Sequence, residues 1–279
     1  MPAPPRATRG LPISNPTAHP GTDHPTDHDR PDAVSAAAIA TLCTYTWFLY
    51  GLGPSIPLFR NELGVSSSVA GLHSLMLAAG VVICGFTGVT LANRWARFGL
   101  ARRAVLVLGG AITLFCAGSL ASGAELAITL PTMLVIGLAG GLAVNTATTV
   151  LQAHHGRSGP AVLTLANAAA AGVGLVTPLA VGAATALGLT WRAALILVVP
   201  FALVAFTLVG RQGAVPAYAA RPAGGGRFTV RGFPSAYWPA ALAVVFAVAV
   251  EFSLVTWTPD LLVQRTGMSP GTASGLVSA

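Results

Sequence analysis

The chain has 279 residues, of which 54% are hydrophobic and only 8% charged, with 15 Arg, no Lys, 8 acids and a formal net charge of +7. Ordinary soluble domains carry about 25% charged residues. A chain this poor in charge cannot cover its surface with ionic groups in water, which excludes a soluble globular fold.

Positions 1–32 are rich in Pro and polar residues and show no apolar period. They are expected to form a disordered tail, too long and too polar for the n-region of a cleaved signal. TDHPTDHD at 22–29 holds His and Asp but no Cys, and is read as solvated tail rather than as a metal site.

Long intervals without charge follow, at 33–59, 63–93, 104–124, 126–156, 158–191 and 193–210. A helix needs about 20 apolar residues to cross a bilayer core about 30 Å thick. Each interval reaches or nearly reaches that length, and a seventh lies at about 238–259. The expected fold class is therefore all-α integral membrane, with the lipid bilayer as its solvent.

Arginine placement gives the orientation. With the N-terminus in the cytoplasm, twelve arginines fall inside, among them Arg94, Arg102, Arg103, Arg157 and Arg211, and only Arg60, Arg192 and Arg265 fall outside. Positive residues collect in cytoplasmic loops. The net charge thus reports topology, and no nucleic-acid partner is expected. The three cysteines, Cys43, Cys84 and Cys116, lie inside apolar spans and form no disulfide framework.

Polar groups inside spans are costly and informative. In span 4, Asn145, Thr148, Thr149 and Gln152 stand at i, i+3, i+4 and i+7, one helical face. Span 1 carries a weaker stripe, Thr41, Thr44, Tyr45 and Phe48. In span 7, AVVFAVAVEFSLVTWTPDLL holds Glu251 in an otherwise apolar run. An ionised acid at mid-span costs about 2.5–3.5 kcal/mol on insertion scales. The two stripes and Glu251 predict a water-accessible cavity between spans 1, 4 and 7, lined by Tyr45, Asn145, Thr149, Gln152 and Glu251. The alternative is plain hydrogen bonding between helices, worth about 0.6 kcal/mol per contact. His73 is read as packed or interfacial. Gly137 and Gly141 form a GxxxG pair, and Gly174, Pro178 and Gly182 share a face of span 5. Such small residues let helices approach closely.

After span 2, GVTLANRWARFGLARRAVLVLG resembles the cytoplasmic loop signature of the major facilitator superfamily. Gly88, Arg94, Gly99, Arg102 and Arg103 stand in the matching places, and Asn93 replaces the usual Asp. PSIPLFRNELGVSSSVAGL is similar to the passage from helix 1 to helix 2, and LTWRAAL to the start of helix 6. EFSLVTWTPDLLVQRTGMSPGTASGLVSA resembles the seventh helix and the start of the eighth. GVGLVTPLAVG is similar to the antiporter proline–glycine signature, but Thr177 and Val181 occupy Gly positions, so antiport is not carried over.

The resemblance implies two six-helix halves with a substrate site between them. It divides the chain into a tail (1–32), an N-terminal six-helix bundle (33–210), a cytoplasmic linker (211–235) and the start of a second bundle (236–279). On that reading the chain stops at the start of the eighth helix, as a fragment or a truncated gene product, and is expected not to transport alone. The implied function is alternating-access secondary transport of a small solute, with proton coupling through Glu251, in a cell membrane. No nucleotide-binding loop, metal-ligand spacing or nucleophile–base pair is found, so no cofactor and no covalent chemistry are expected. Two readings stay beside it: a non-transporting fragment, and a membrane-embedded enzyme. The enzyme would need clustered acids or His at span ends, where only His154, His155 and Arg157 come close; these are read as a short loop between spans 4 and 5.

Overall fold

α1 (Ala33–Leu63) begins where Asp32 caps it, its side chain accepting from the Ser35 N–H at 2.9 Å, and ends at Gly64 in the left-handed region (φ 63°). The computed structural model describes residues 32–95, 99–121, 123–211 and 234–276, all within one compact unit, Pro31–Ala279. Asp32, counted with the tail in the sequence, is the first described side chain of the bundle. The rest of the expected tail and most of the expected linker lie outside the described residues.

Helices α2 (Ser67–Trp95), α3 (Leu100–Gly118), α4 (Glu125–His155) and α5 (Gly159–Ala186) follow. Next come α6 (Trp191–Ile196), α7 (Val198–Arg211), α8 (Tyr237–Thr266) and α9 (Pro270–Leu276). Between α4 and α5 a single 3₁₀ turn, Gly156–Ser158, reverses the chain: Gly156 takes φ 53°, and a proline stands in the first turn of α5. The sixth expected span is broken at Leu197 into α6 and α7. Pro200 explains the break, because it has no N–H for the Ile196 carbonyl.

Among the described residues, six stretches are long and apolar enough to cross a membrane; the longest, Glu125–Ala186, is α4 and α5 joined at their turn. The chain is an all-α, multi-pass membrane protein. Residue pairs give the directions. Ser35 meets His155 and Tyr45 meets Gly140, so α1 and α4 are antiparallel. Tyr50 meets Gly174 and Glu251, and Arg60 meets Asp260, so α1, α5 and α8 run parallel. His73 meets Thr129 and Cys84 meets Gly141, which makes α2 parallel to α4.

α1 is the central helix. Of its apolar window, 56% is buried, against none of that of α8. The main core packs Phe48, Phe115, Ile112, Met133, Ile136 and Leu195, with the Phe48 and Phe115 rings edge to face at 5.9 Å. Leu242, Val244, Val245, Phe246 and Leu254 of α8 are exposed, as are Phe86 of α2 and Leu203 of α7. Apolar side chains that face outward suit lipid, where association rests on close packing and internal hydrogen bonds.

Candidate functional site

α8 is tied to α1 by polar contacts at two levels. At mid-span the Tyr50 hydroxyl donates to the Glu251 carboxylate, and the Phe252 ring lies 6.0 Å from the Tyr50 ring. Two to three turns on, Arg60 pairs with Asp260 at 2.5 Å, and Gln264 also donates to Asp260 at 2.9 Å. Between these levels Gly53 lies against the Val255 carbonyl, so the two backbones are in contact. The Tyr50 ring is admitted beside α5 by Gly174, whose missing side chain leaves it room.

At the Glu62 end of α1, Arg192 is buried and donates to both Glu62 oxygens at 2.8 Å, to Ser119 Oγ at 2.7 Å and to the Ser119 carbonyl at 3.0 Å. Trp191 Nε1 also donates to Glu62 at 3.0 Å. The Arg192 guanidinium lies 4.5 Å from the Trp191 ring. Arg60 and Arg192, counted among the outer arginines in the sequence, are helical residues whose charges are paired across the bundle. His73 is buried, its Nε2 2.9 Å from Thr129 Oγ1, beside Phe59 and Phe115.

At the Asp32 end, one carboxylate oxygen of Asp32 accepts from the N–H and hydroxyl of Ser35, and the other meets His154 Nε2. His155 Nε2 lies 2.7 Å from the same Ser35 hydroxyl. Both histidines belong to the last turn of α4 rather than to a loop. Partial burial pulls the Asp32 carboxyl upward, but the Ser35 N–H and His154 outweigh it and hold it down at about 2.

The expected cavity residues fall in separate places. Tyr45 is buried, its ring laid over Gly140, five positions and a different helical face away from Tyr50. Thr41 and Thr44 donate back to the carbonyls of Ala37 and Ala40 within α1. Asn145 is exposed on α4 and donates toward Cys84 Sγ at 3.7 Å. Thr148 and Thr149 bond their own helix at Val144 and Asn145, and Gln152 is exposed. So α4 keeps an open polar face, while the mid-span partner of Glu251 is Tyr50, which the sequence did not single out. The loop-motif residues are spread in the same way. Gly99 (φ 67°) starts α3 in a conformation that favours glycine, and Arg102 lies 4.1 Å over the Phe206 ring. Gly88 has ordinary room beside Cys84 and Leu142, and Arg103 lies in the first turn of α3. The side chains of Asn93 and Arg94 lie outside the described residues.

No known family model matches the chain, and no curated protein matches it.

Proposed function

We propose that this protein is a secondary transporter of the major facilitator type, oriented with its N-terminus in the cytoplasm. In this reading it moves a small solute by alternating access and couples that movement to protons at Glu251. The observation that carries the reading is the choice of partner for Glu251. A tyrosine hydroxyl both donates and accepts, so Tyr50 can hold Glu251 as carboxylate or as carboxylic acid. Arg60 only donates and stays charged, which makes its bond to Asp260 a fixed tie. One seam therefore carries a carboxylate suited to gaining and losing a proton, and another suited to holding the helices while it does so.

The open face of Asn145, Thr149 and Gln152 supplies hydrogen-bonding groups for a solute on α4. The arginine asymmetry supports the orientation, and the exposed apolar side chains of α8 support a lipid or helical neighbour there.

The test uses cells carrying the encoding gene and a solute whose accumulation depends on it. Glu251→Gln should reach the membrane, lose pH-driven accumulation and keep exchange of the solute down its own gradient. Accumulation equal to the parent across external pH would make Glu251 structural and end the proton-coupling reading.

A further inference from the structure

Asp32, His154 and His155 form a cluster that the transport reading does not use. Each offers one ligand atom, and these atoms lie within 4.8 Å of one another. We propose that Asp32, His154 and His155 bind a divalent transition metal ion of the zinc class, which staples the start of α1 to the end of α4.

The donor set fits such an ion. Two imidazole nitrogens and one carboxylate oxygen are ordinary zinc ligands, and three protein ligands leave a fourth position for water. Bonds of about 2.0–2.2 Å in a tetrahedron put ligand atoms roughly 3.4 Å apart. Closing from 4.8 Å takes a small side-chain rotation, and the Asp32 and His154 side chains are 42% and 41% exposed, so both can turn. His155 is buried and provides the fixed member.

The division of labour at Asp32 matters. One oxygen is occupied by the Ser35 N–H and hydroxyl, which caps α1 and fixes the carboxylate; the other faces His154. An ion would take that second oxygen without uncapping the helix. The Ser35 hydroxyl holds the His155 ring through Nε2, and ligation through the other ring nitrogen would make Ser35 its outer partner. The negative end of the α4 helix dipole also favours a cation. Because 122 residues separate Asp32 from His154, the ion would join two distant parts of the chain.

The experiment uses the whole 279-residue chain, purified in detergent without a polyhistidine tag, stripped with chelator and titrated with Co²⁺. The expected result is a saturable visible absorption with one Co²⁺ per chain, displaced by Zn²⁺, and a melting temperature raised by Zn²⁺. Loss of an outer partner alone costs about 10–100-fold in affinity, so His154→Ala and His155→Ala should each weaken binding by about 100-fold or more. Asp32→Asn keeps the helix cap and should weaken binding while lowering the metal-free melting temperature less than Asp32→Ala does, which separates ligation from folding. A chain with His19, His24 and His28 changed to Ala should bind as the parent does. Absence of a one-per-chain signal would overturn the site. So would a signal lost with those three tail histidines but kept in His154→Ala, or full affinity in Asp32→Asn.

Discussion

Between α2 and α4 the backbones nearly touch. A side-chain carbon added at Gly137 would run into the Leu77 carbonyl, one at Gly80 into the Leu134 carbonyl, and Gly141 lies against Cys84. Between α1 and α8 a single glycine, Gly53, makes such an approach, and the rest is carried by Tyr50–Glu251 and Arg60–Asp260. Shape holds the first seam, and three small residues in register leave it no freedom to slide. Hydrogen bonds hold the second, and they can be remade at low cost because α8 buries only Pro259 and Asp260 among the described residues. The contrast separates a rigid pair from a movable neighbour, a division that an alternating-access machine would require.

The largest effect should come from filling the rigid seam. Gly137→Leu forces α2 off α4 and is expected to cost about 3 kcal/mol or more, read as a broadened, aggregated profile on size exclusion in detergent. Gly85→Leu, on a part of α2 with open space around it, should leave the profile unchanged. If both variants behaved like the parent, the two seams would not differ in kind.

Next comes the tie at the other seam. Asp260→Asn leaves Arg60 facing a neutral group and should cost about 2–3 kcal/mol, less than a fully buried pair because Arg60 is partly exposed. Limited proteolysis should release α8 before it attacks α2 or α4. Replacing both partners with apolar residues, Arg60→Met with Asp260→Leu, should recover most of that loss.

A third contact, from Asp32 to α4, connects the two seams through α1. Asp32→Ala removes a helix cap and should lower stability by about 1 kcal/mol, whereas Asp32→Asn keeps the cap and should lose less, only the share carried by the charge. With its carboxyl held down at about 2, the Asp32 contribution is fully present above the ordinary value near 3.8 and is lost as pH falls toward 2. Melting curves of the parent and Asp32→Ala should therefore differ by a constant amount from pH 5 upward as far as the carboxyl is concerned, and converge only in strong acid.

The smallest structural effect sharpens the comparison most. Tyr50→Phe removes one hydroxyl and should change stability by only about 0.6 kcal/mol. If the α1–α8 seam is a working one, the same change should depress pH-driven accumulation well beyond what so small a loss explains. Equal, minor losses in both measurements would make Tyr50 a packing residue.

Much of the helix layout can be read from the charge gaps alone. The interval 126–156 becomes α4, 158–191 contains α5, and Gly137 with Gly141 does mark a close helix contact. The helix ends were less legible. α1 continues past Phe59 to Leu63, taking Arg60 and Glu62 with it, because their charges find partners on α8 and α6 that no local pattern reveals. The partner of Glu251 was hidden for a related reason. Tyr45 and Tyr50 point to different faces of α1, and which one meets α8 depends on how α1 is turned about its axis. Gly140, which accepts the Tyr45 ring, and Gly174, which accepts that of Tyr50, set that turn from positions about a hundred residues later. The Asp32–Ser35 spacing is a capping pattern present in the sequence, but the histidines that meet it come from the far end of α4.

The long reach of the α1–α8 contacts also governs the order of events at the ribosome. Tyr50 and Glu251 are 201 residues apart, and Arg60 and Asp260 are 200 apart. At about 5–20 residues per second, α1 is finished about 10–40 s before its partners on α8 exist. Throughout that interval Arg60 carries an unanswered charge at a helix end, where its long side chain can still reach water. A nascent chain halted before position 260 should leave open only the strip of α1 around Tyr50 and Arg60, and completion of α8 is the moment at which that strip finds its partners.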